Sequence, residues 1–192
     1  MKTFSVDAVY REAGAIMKPR RWQMIWQYAL ISFVFSLGLY VLFGRGAMIS
    51  GVIVSFITTV WALSFVNKGS FSYRDLFEDV TVKDFAYFAC ALLLSVLCVL
   101  GGLILLIVPG IILAVRFAFV RYIAVEQKIA PALALKESAR MTKGMRWKIF
   151  WFMVVSVLIN LLGLICLVVG LLYTIPLTQL AGAILYKKLS VD

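Results

Sequence analysis

The stretch FAYFACALLLSVLCVLGGLILLIVPGIILAVRFAFVR (85–121) decides the fold. No charged residue falls between Asp84 and Arg116. A bilayer core about 30 Å thick takes roughly 20 apolar residues in one helix, so Phe85–Ile107 is predicted to cross a membrane. Pro109-Gly110 then breaks the run, because proline lacks a backbone donor and glycine admits unusual dihedrals. Ile111–Val125 is predicted as a second, shorter span with Arg116 and Arg121 inside it.

The rest of the chain reads the same way. Met24–Phe43 and Ala47–Val66 are further spans, joined by Gly44-Arg45-Gly46. Ile149–Val169 and Leu171–Tyr186 complete a set of six. Of 192 residues 64% are hydrophobic and 15% charged, against about half and a quarter in soluble domains. That excludes a soluble globular domain and a disordered chain. Three cysteines are too few for a secreted disulfide scaffold. The first 20 residues lack the apolar core of a signal peptide.

Net charge is +10, and its placement sets the orientation. Eighteen of the 19 Lys and Arg flank the spans on one side, with Arg45 alone on the other. The positive-inside rule then puts both termini in the cytoplasm. The densest stretch is 116–148, with eight basic residues against Glu126 and Glu137.

The chain also repeats. Glu12, Lys18, Arg21, Trp22 and Trp26 recur as Glu137, Lys143, Arg146, Trp147 and Trp151. Ser95 and Gly102 recur as Ser156 and Gly163, and Pro109 and Pro176 each precede a basic residue by twelve positions. Three units are expected in one membrane domain over 1–192: 5–68, 71–127 and 131–188. Each holds a surface helix and a two-span hairpin in the same orientation. Val6, Val9, Tyr10, Ala13 and Met17 form the apolar stripe of the first surface helix, with Ser5 as cap. Ser72 and Asp75, and again Thr81 and Asp84, have capping-box spacing. Pro131 opens the last surface helix and Gly144 closes it. These helices are expected in the headgroup plane, with Trp22, Trp26, Trp147 and Trp151 as interfacial anchors.

Catalytic chemistry finds no footing. Histidine is absent, and the nine carboxylates lie outside the spans. Asp75, Glu78, Asp79 and Asp84 read as a solvated helix face. Cys90, Cys98 and Cys166 lie in spans with no metal spacing and read as packing residues. We expect no enzyme, metal or cofactor. The candidate lipid- or anion-binding residues are Arg116, Arg121, Lys136, Arg140, Lys143 and Arg146. Arg116 is the deepest of them, and either a snorkelling side chain, a cavity or a carboxylate such as Glu126 or Glu137 would accommodate it. Arg121 is expected near the interface. Asn160 reads as a contact between helices, and Ser55, Thr58, Thr59, Ser95, Ser156, Thr174, Thr178 and Gln179 read likewise, too scattered to draw a polar pore. Pro109, Gly110 and Pro176 are candidate starts of short half-helices, which could present an N-terminus to an anion.

Several of these motifs stand together from Gly102 to Leu189. They are LLIVPGIILAVRF (105–117), ALALKES (132–138), Thr142-Lys143-Gly144 with Trp147, and VGLLYTIPLT (169–178) before Ala183-Ile184-Leu185-Tyr186. This segment resembles the membrane domain of some bacterial glycerophosphodiester phosphodiesterases and the stand-alone YciC-like inner-membrane proteins. The resemblance implies a multi-pass helical protein of the bacterial cytoplasmic membrane. The phosphodiesterase activity belongs to a separate soluble domain whose His and carboxylate cluster has no counterpart here. Expected partners are membrane lipids and a membrane protein or second copy, with no nucleic acid. The function expected is engagement of anionic lipids or a membrane partner through the basic cytoplasmic face. The alternative is a transporter or channel for a lipid-like or small anionic solute, built around Arg116.

Overall fold

A computed structural model describes residues 4–18, 22–30, 32–33, 47–69, 71, 81–165 and 167–190. Every regular element among them is a helix. We number them α1 (Val6–Met17), α2 (22–30), α3 (Ala47–Lys68), α4 (Val82–Leu105), α5 (Ile107–Arg116), α6 (Val120–Gln127), α7 (Pro131–Met141), α8 (Arg146–Ile165) and α9 (Leu167–Ser190). The turn at Gly44-Arg45-Gly46, the end of the first expected span, the 72–80 segment with Asp75, Glu78 and Asp79 of the acidic cluster, and Cys166 lie outside the described residues.

Four stretches are long and apolar enough to cross a membrane: Gly51–Lys68, Val82–Ile104, Ile107–Gln127 and Arg146–Ile165. Their surroundings differ. Half of the α3 stretch is buried inside the protein, against 17% of the α4 and α8 stretches. Leu93, Leu97, Leu100 and Ile104 on α4, and Val157, Leu161, Leu162 and Ile165 on α8, face outward. An apolar surface that wide suits lipid and would be a liability in water.

The local signals explain the helix ends. Asp84 accepts the Thr81 backbone N–H at 3.0 Å, which closes half of a capping box at the start of α4. Pro131 sits in the first turn of α7, where its missing donor costs nothing. Ser5 stands at the N-cap of α1, but its side chain makes no cap bond. Gly144, at φ +88, turns the chain from α7 into α8 in a conformation that favours glycine.

The core is built around α3 and the C-terminal half of α9. Trp61 on α3 is fully buried, with Tyr28 and Phe65 edge-on at 5.5 and 5.1 Å. Leu180, Ala181, Ala183, Ile184, Leu185 and Tyr186 are all buried. A helix buried on every side has no apolar stripe to reveal it. It packs between α1, α3 and α8.

Two expectations fail here. First, α1 does not lay its stripe on lipid. Val9, Ala13 and Met17 are wholly buried, and the helix docks on α8 and α9. Tyr10 stacks on Phe152 at 5.5 Å. Its hydroxyl hydrogen-bonds the Ser156 side chain. Secondly, Pro176 does not divide its helix. The break after α4 is at Leu106, whose extended backbone (φ −166, ψ 143) precedes α5. Pro109 and Gly110 then lie within the start of α5. Pro176 begins no half-helix: it lies inside α9, which continues through it.

The second break has another cause. Between α5 and α6 the chain turns at Phe117 to Phe119, with φ −102 and ψ 12 at Phe117. Ser138 of α7, fully buried, donates its hydroxyl to the Arg116 carbonyl at 2.8 Å and accepts the Phe119 N–H at 3.3 Å. A side chain inserted into the backbone ladder is a recognised cause of helix kinking.

Candidate functional site

One polar cleft lies between α6, α8 and α9. It encloses about 290 Å³ and is lined by Arg121, Tyr122, Ser156, Asn160, Thr178, Gln179 and Gly182, with Phe119, Ile149, Phe152 and Met153 among its apolar walls. The spacing on α8 explains how its polar groups meet. Ser156 and Asn160 are four residues apart and so share a face. Thr178 and Gln179 come from α9 opposite them, and the Asn160 amide reaches the Thr178 hydroxyl at 3.3 Å.

Arg121 is held in place by its neighbours. It donates to the Tyr122 hydroxyl at 2.9 Å, and its guanidinium carbon lies 4.7 Å from that ring's centre. Tyr122 in turn donates to the Gln179 carbonyl at 3.2 Å and stacks on Tyr186 at 5.6 Å. Gly182 is required for this approach, since a Cβ there would collide with the Tyr122 hydroxyl. Three buried groups beside these contacts have no protein partner among the described residues: Asn160 Oδ1, Gln179 Oε1 and Thr174 Oγ1. A buried polar atom left unpaired costs about 1–3 kcal/mol.

The cleft overturns one sequence expectation: Ser156, Asn160, Thr178 and Gln179 are not scattered, and Arg121 lines the cleft with them. Arg116 is not among the lining residues. It ends α5 half-buried, and its Nε has no partner among the described residues. Nor do the suggested carboxylates pair with it: Glu126 pairs with Lys187, and Glu137 with Arg140.

The remaining charged candidates lie at one end of the bundle. Lys136 and Arg140 on α7, Lys143 in the turn, and Arg146 and Lys148 at the start of α8 are exposed. Arg140 makes a two-pronged contact with Glu137, at 2.9 and 2.6 Å. The hydrogen bond from Arg140 holds the Glu137 carboxyl below its ordinary range. The basic stripe is therefore partly neutralised at Arg140. Ion pairs Lys128–Asp84 at 3.1 Å, Lys187–Glu126 and Lys188–Glu12 join α6 to α4, α9 to α6, and α9 to α1.

Trp22, Trp26, Trp147 and Trp151 are all exposed, whereas Trp61 is buried. Trp147, Phe150 and Arg146 border a groove of about 330 Å³, whose other wall is Val108, Ile111, Ile112 and Val115 of α5. Among the described residues Arg146 is its one charged lining residue.

Among the described residues no group of His, Cys, Asp or Glu is placed to hold a metal ion. No protein-family model, curated protein or solved structure matches the chain.

Proposed function

We propose that this chain is a non-enzymatic, multi-pass protein of the bacterial cytoplasmic membrane whose basic end engages anionic phospholipid headgroups. In this reading six spans lie in three hairpin units, and both termini are cytoplasmic. The observation that carries it is the cluster of exposed Lys136, Lys143, Arg146 and Lys148 beside exposed Trp147 and Trp151. Cations at such a surface are worth about 1 kcal/mol each against anionic lipid. The apolar groove below Trp147 adds a seat for an acyl chain, with Arg146 beside it for the phosphate. The ion pairs support the orientation, because Glu12, Glu126, Lys128, Lys187 and Lys188 come together as a single-sided topology requires. The resemblance of 102–189 to an inner-membrane family with no catalytic residues on this domain supports the same reading.

Lipid retention tests it. Nanodiscs of phosphatidylglycerol and phosphatidylcholine are offered to the purified protein, and bound lipid is counted by native mass spectrometry. The wild type should retain phosphatidylglycerol preferentially. The variant Lys136→Gln/Lys143→Gln/Arg146→Gln should lose most of that preference. An unchanged preference would refute the proposal.

A further inference from the structure

Helix α5 is ten residues long and stands between two breaks, the extended backbone at Leu106 and the turn that begins at Phe117. One face closes on α4 at Gly102 and Gly110, where a Cβ on either glycine would collide with the other helix. Another face carries Val108, Ile111, Ile112 and Val115, spaced i, i+3, i+4 and i+7, and forms one wall of the groove shared with α8. Val115 is buried, while Val108, Ile111 and Ile112 are exposed. On the other wall Trp147 and Phe150 stack at 5.5 Å, and Arg146 precedes them at the start of α8.

The composition of these walls selects the occupant. Apart from Arg146, every described lining side chain is aliphatic or aromatic. An extended peptide laid there would turn its N–H and C=O groups toward walls that offer them no partner. A helix, about 10 Å across with its side chains, is too wide for a groove near 330 Å³, at the lower end for small-molecule pockets. A polymethylene chain has no polar group to satisfy. The one lining charge is cationic and stands where α8 begins, with exposed Lys143 and Lys148 close to it in sequence. An apolar channel with a cation at one end is complementary to an amphiphile with an anionic head.

We infer that this groove is a discrete, saturable site for one acyl chain of an anionic phospholipid, whose phosphate Arg146 holds while the second chain stays in the bilayer. The inference rests on the membrane reading above and adds to it a single bound lipid between α5 and α8. Bilayer chains are as apolar as the groove walls, so escape from water does not choose the occupant. Charge at Arg146 and fit against the Trp147 and Phe150 rings choose it. A zwitterionic headgroup brings its own cation to Arg146 and is held more weakly.

Photolabelling of the full-length protein in phosphatidylcholine nanodiscs tests it. The probes are phosphatidylglycerol, phosphatidylcholine and palmitate, each with a diazirine in an acyl chain, and labelled residues are mapped by mass spectrometry. The phosphatidylglycerol probe should label 108–115 and 147–150 more strongly than either other probe. Unlabelled phosphatidylglycerol should suppress that labelling at a mole fraction at least fivefold lower than it needs at Leu97 and Leu161, on the outer faces of α4 and α8. Ile112→Trp, which fills the groove from an exposed position, should abolish this saturable labelling and spare the headgroup preference of the basic end. Val108→Trp, more exposed still, repeats the test if Ile112→Trp does not fold by circular dichroism and gel filtration. Lys136→Gln/Lys143→Gln should weaken the headgroup preference and keep the groove labelling, so the two readings fail separately. Equal competition at the groove and the outer faces would overturn the inference. So would groove labelling as strong with phosphatidylcholine or palmitate, or saturable labelling retained in a folded groove-filled variant.

Discussion

The hairpin made by α4 and α5 and the hairpin made by α8 and α9 begin alike and end differently. In each, a glycine near the end of the first helix admits the second. A Cβ on Gly102 would stand 3.0 Å from Gly110 Cα, and one on Gly163 would stand 3.2 Å from the Gly170 carbonyl carbon. Each returning segment carries a proline early in its course, Pro109 and Pro176. Yet one return is cut into α5 and α6, whereas α9 passes through its proline intact. The difference lies outside both hairpins, in Ser138. A helix is interrupted here by a neighbour that takes over its backbone groups, not by the residue with the poorest helix propensity.

The largest expected effect comes from the feature the hairpins share. A Cβ on Gly110 would meet the Leu103 backbone nitrogen at 2.8 Å, as well as its side chain. Gly110→Val should destabilise the protein by about 3 kcal/mol, measured by reversible denaturant titration in detergent. Wild-type stability would mean the two helices do not close at this point. Next comes Ser138→Ala, which removes the partner of both Arg116 O and Phe119 N. A loss of about 2 kcal/mol follows if both groups stay buried and unpaired. Hydrogen exchange should quicken at 117–120 while α9 is unaffected. Equal exchange in both returns would mean Ser138 does not set the break.

Pro176→Ala probes the other return. A helix that already passes through the proline regains an N–H donor, so stability should hold or rise by about 1 kcal/mol. A marked loss would show that Pro176 shapes α9 after all. The smallest effect belongs to the outer face of α7, opposite Ser138. The hydrogen bond from Arg140 holds the Glu137 carboxyl below the ordinary glutamate value of about 4.3. Its contribution is full above that value and is lost as pH falls through the lower folded one. Both side chains are partly or largely exposed, so the contribution is small. Glu137→Gln should flatten the acid limb of the stability profile and leave the neutral plateau in place. An unchanged acid limb would show that α7 is held by its inner face alone.

What the sequence exposed was local. Four helices long and apolar enough to cross a membrane were legible from apolar runs, the cap at Thr81–Asp84 from spacing, and the α1 stripe from a 3.6 period. What that stripe touches was not legible, because Val9, Ala13 and Met17 are equally suited to lipid and to protein. The break at Phe117–Phe119 was hidden because its cause, Ser138, is distant in sequence and ordinary in composition. The turn separating α5 from α6 also means that depth along this segment does not follow a rise of 1.5 Å per residue, which assumes one straight helix. The cleft depends on the mutual placement of α6, α8 and α9. Its one local trace is the i, i+4 spacing of Ser156 with Asn160, and of Thr174 with Thr178.

The docking of α1 has a consequence for assembly. Its buried stripe, its Tyr10 contact and its Glu12 ion pair all reach residues of α8 and α9. Synthesis runs from the N-terminus, so those surfaces emerge after nearly everything else. Until the later helices are made, the apolar stripe of α1 has none of its partners. Its amphipathic design suits that interval at the headgroup layer. The stripe that would suit such a layer ends in the helix bundle.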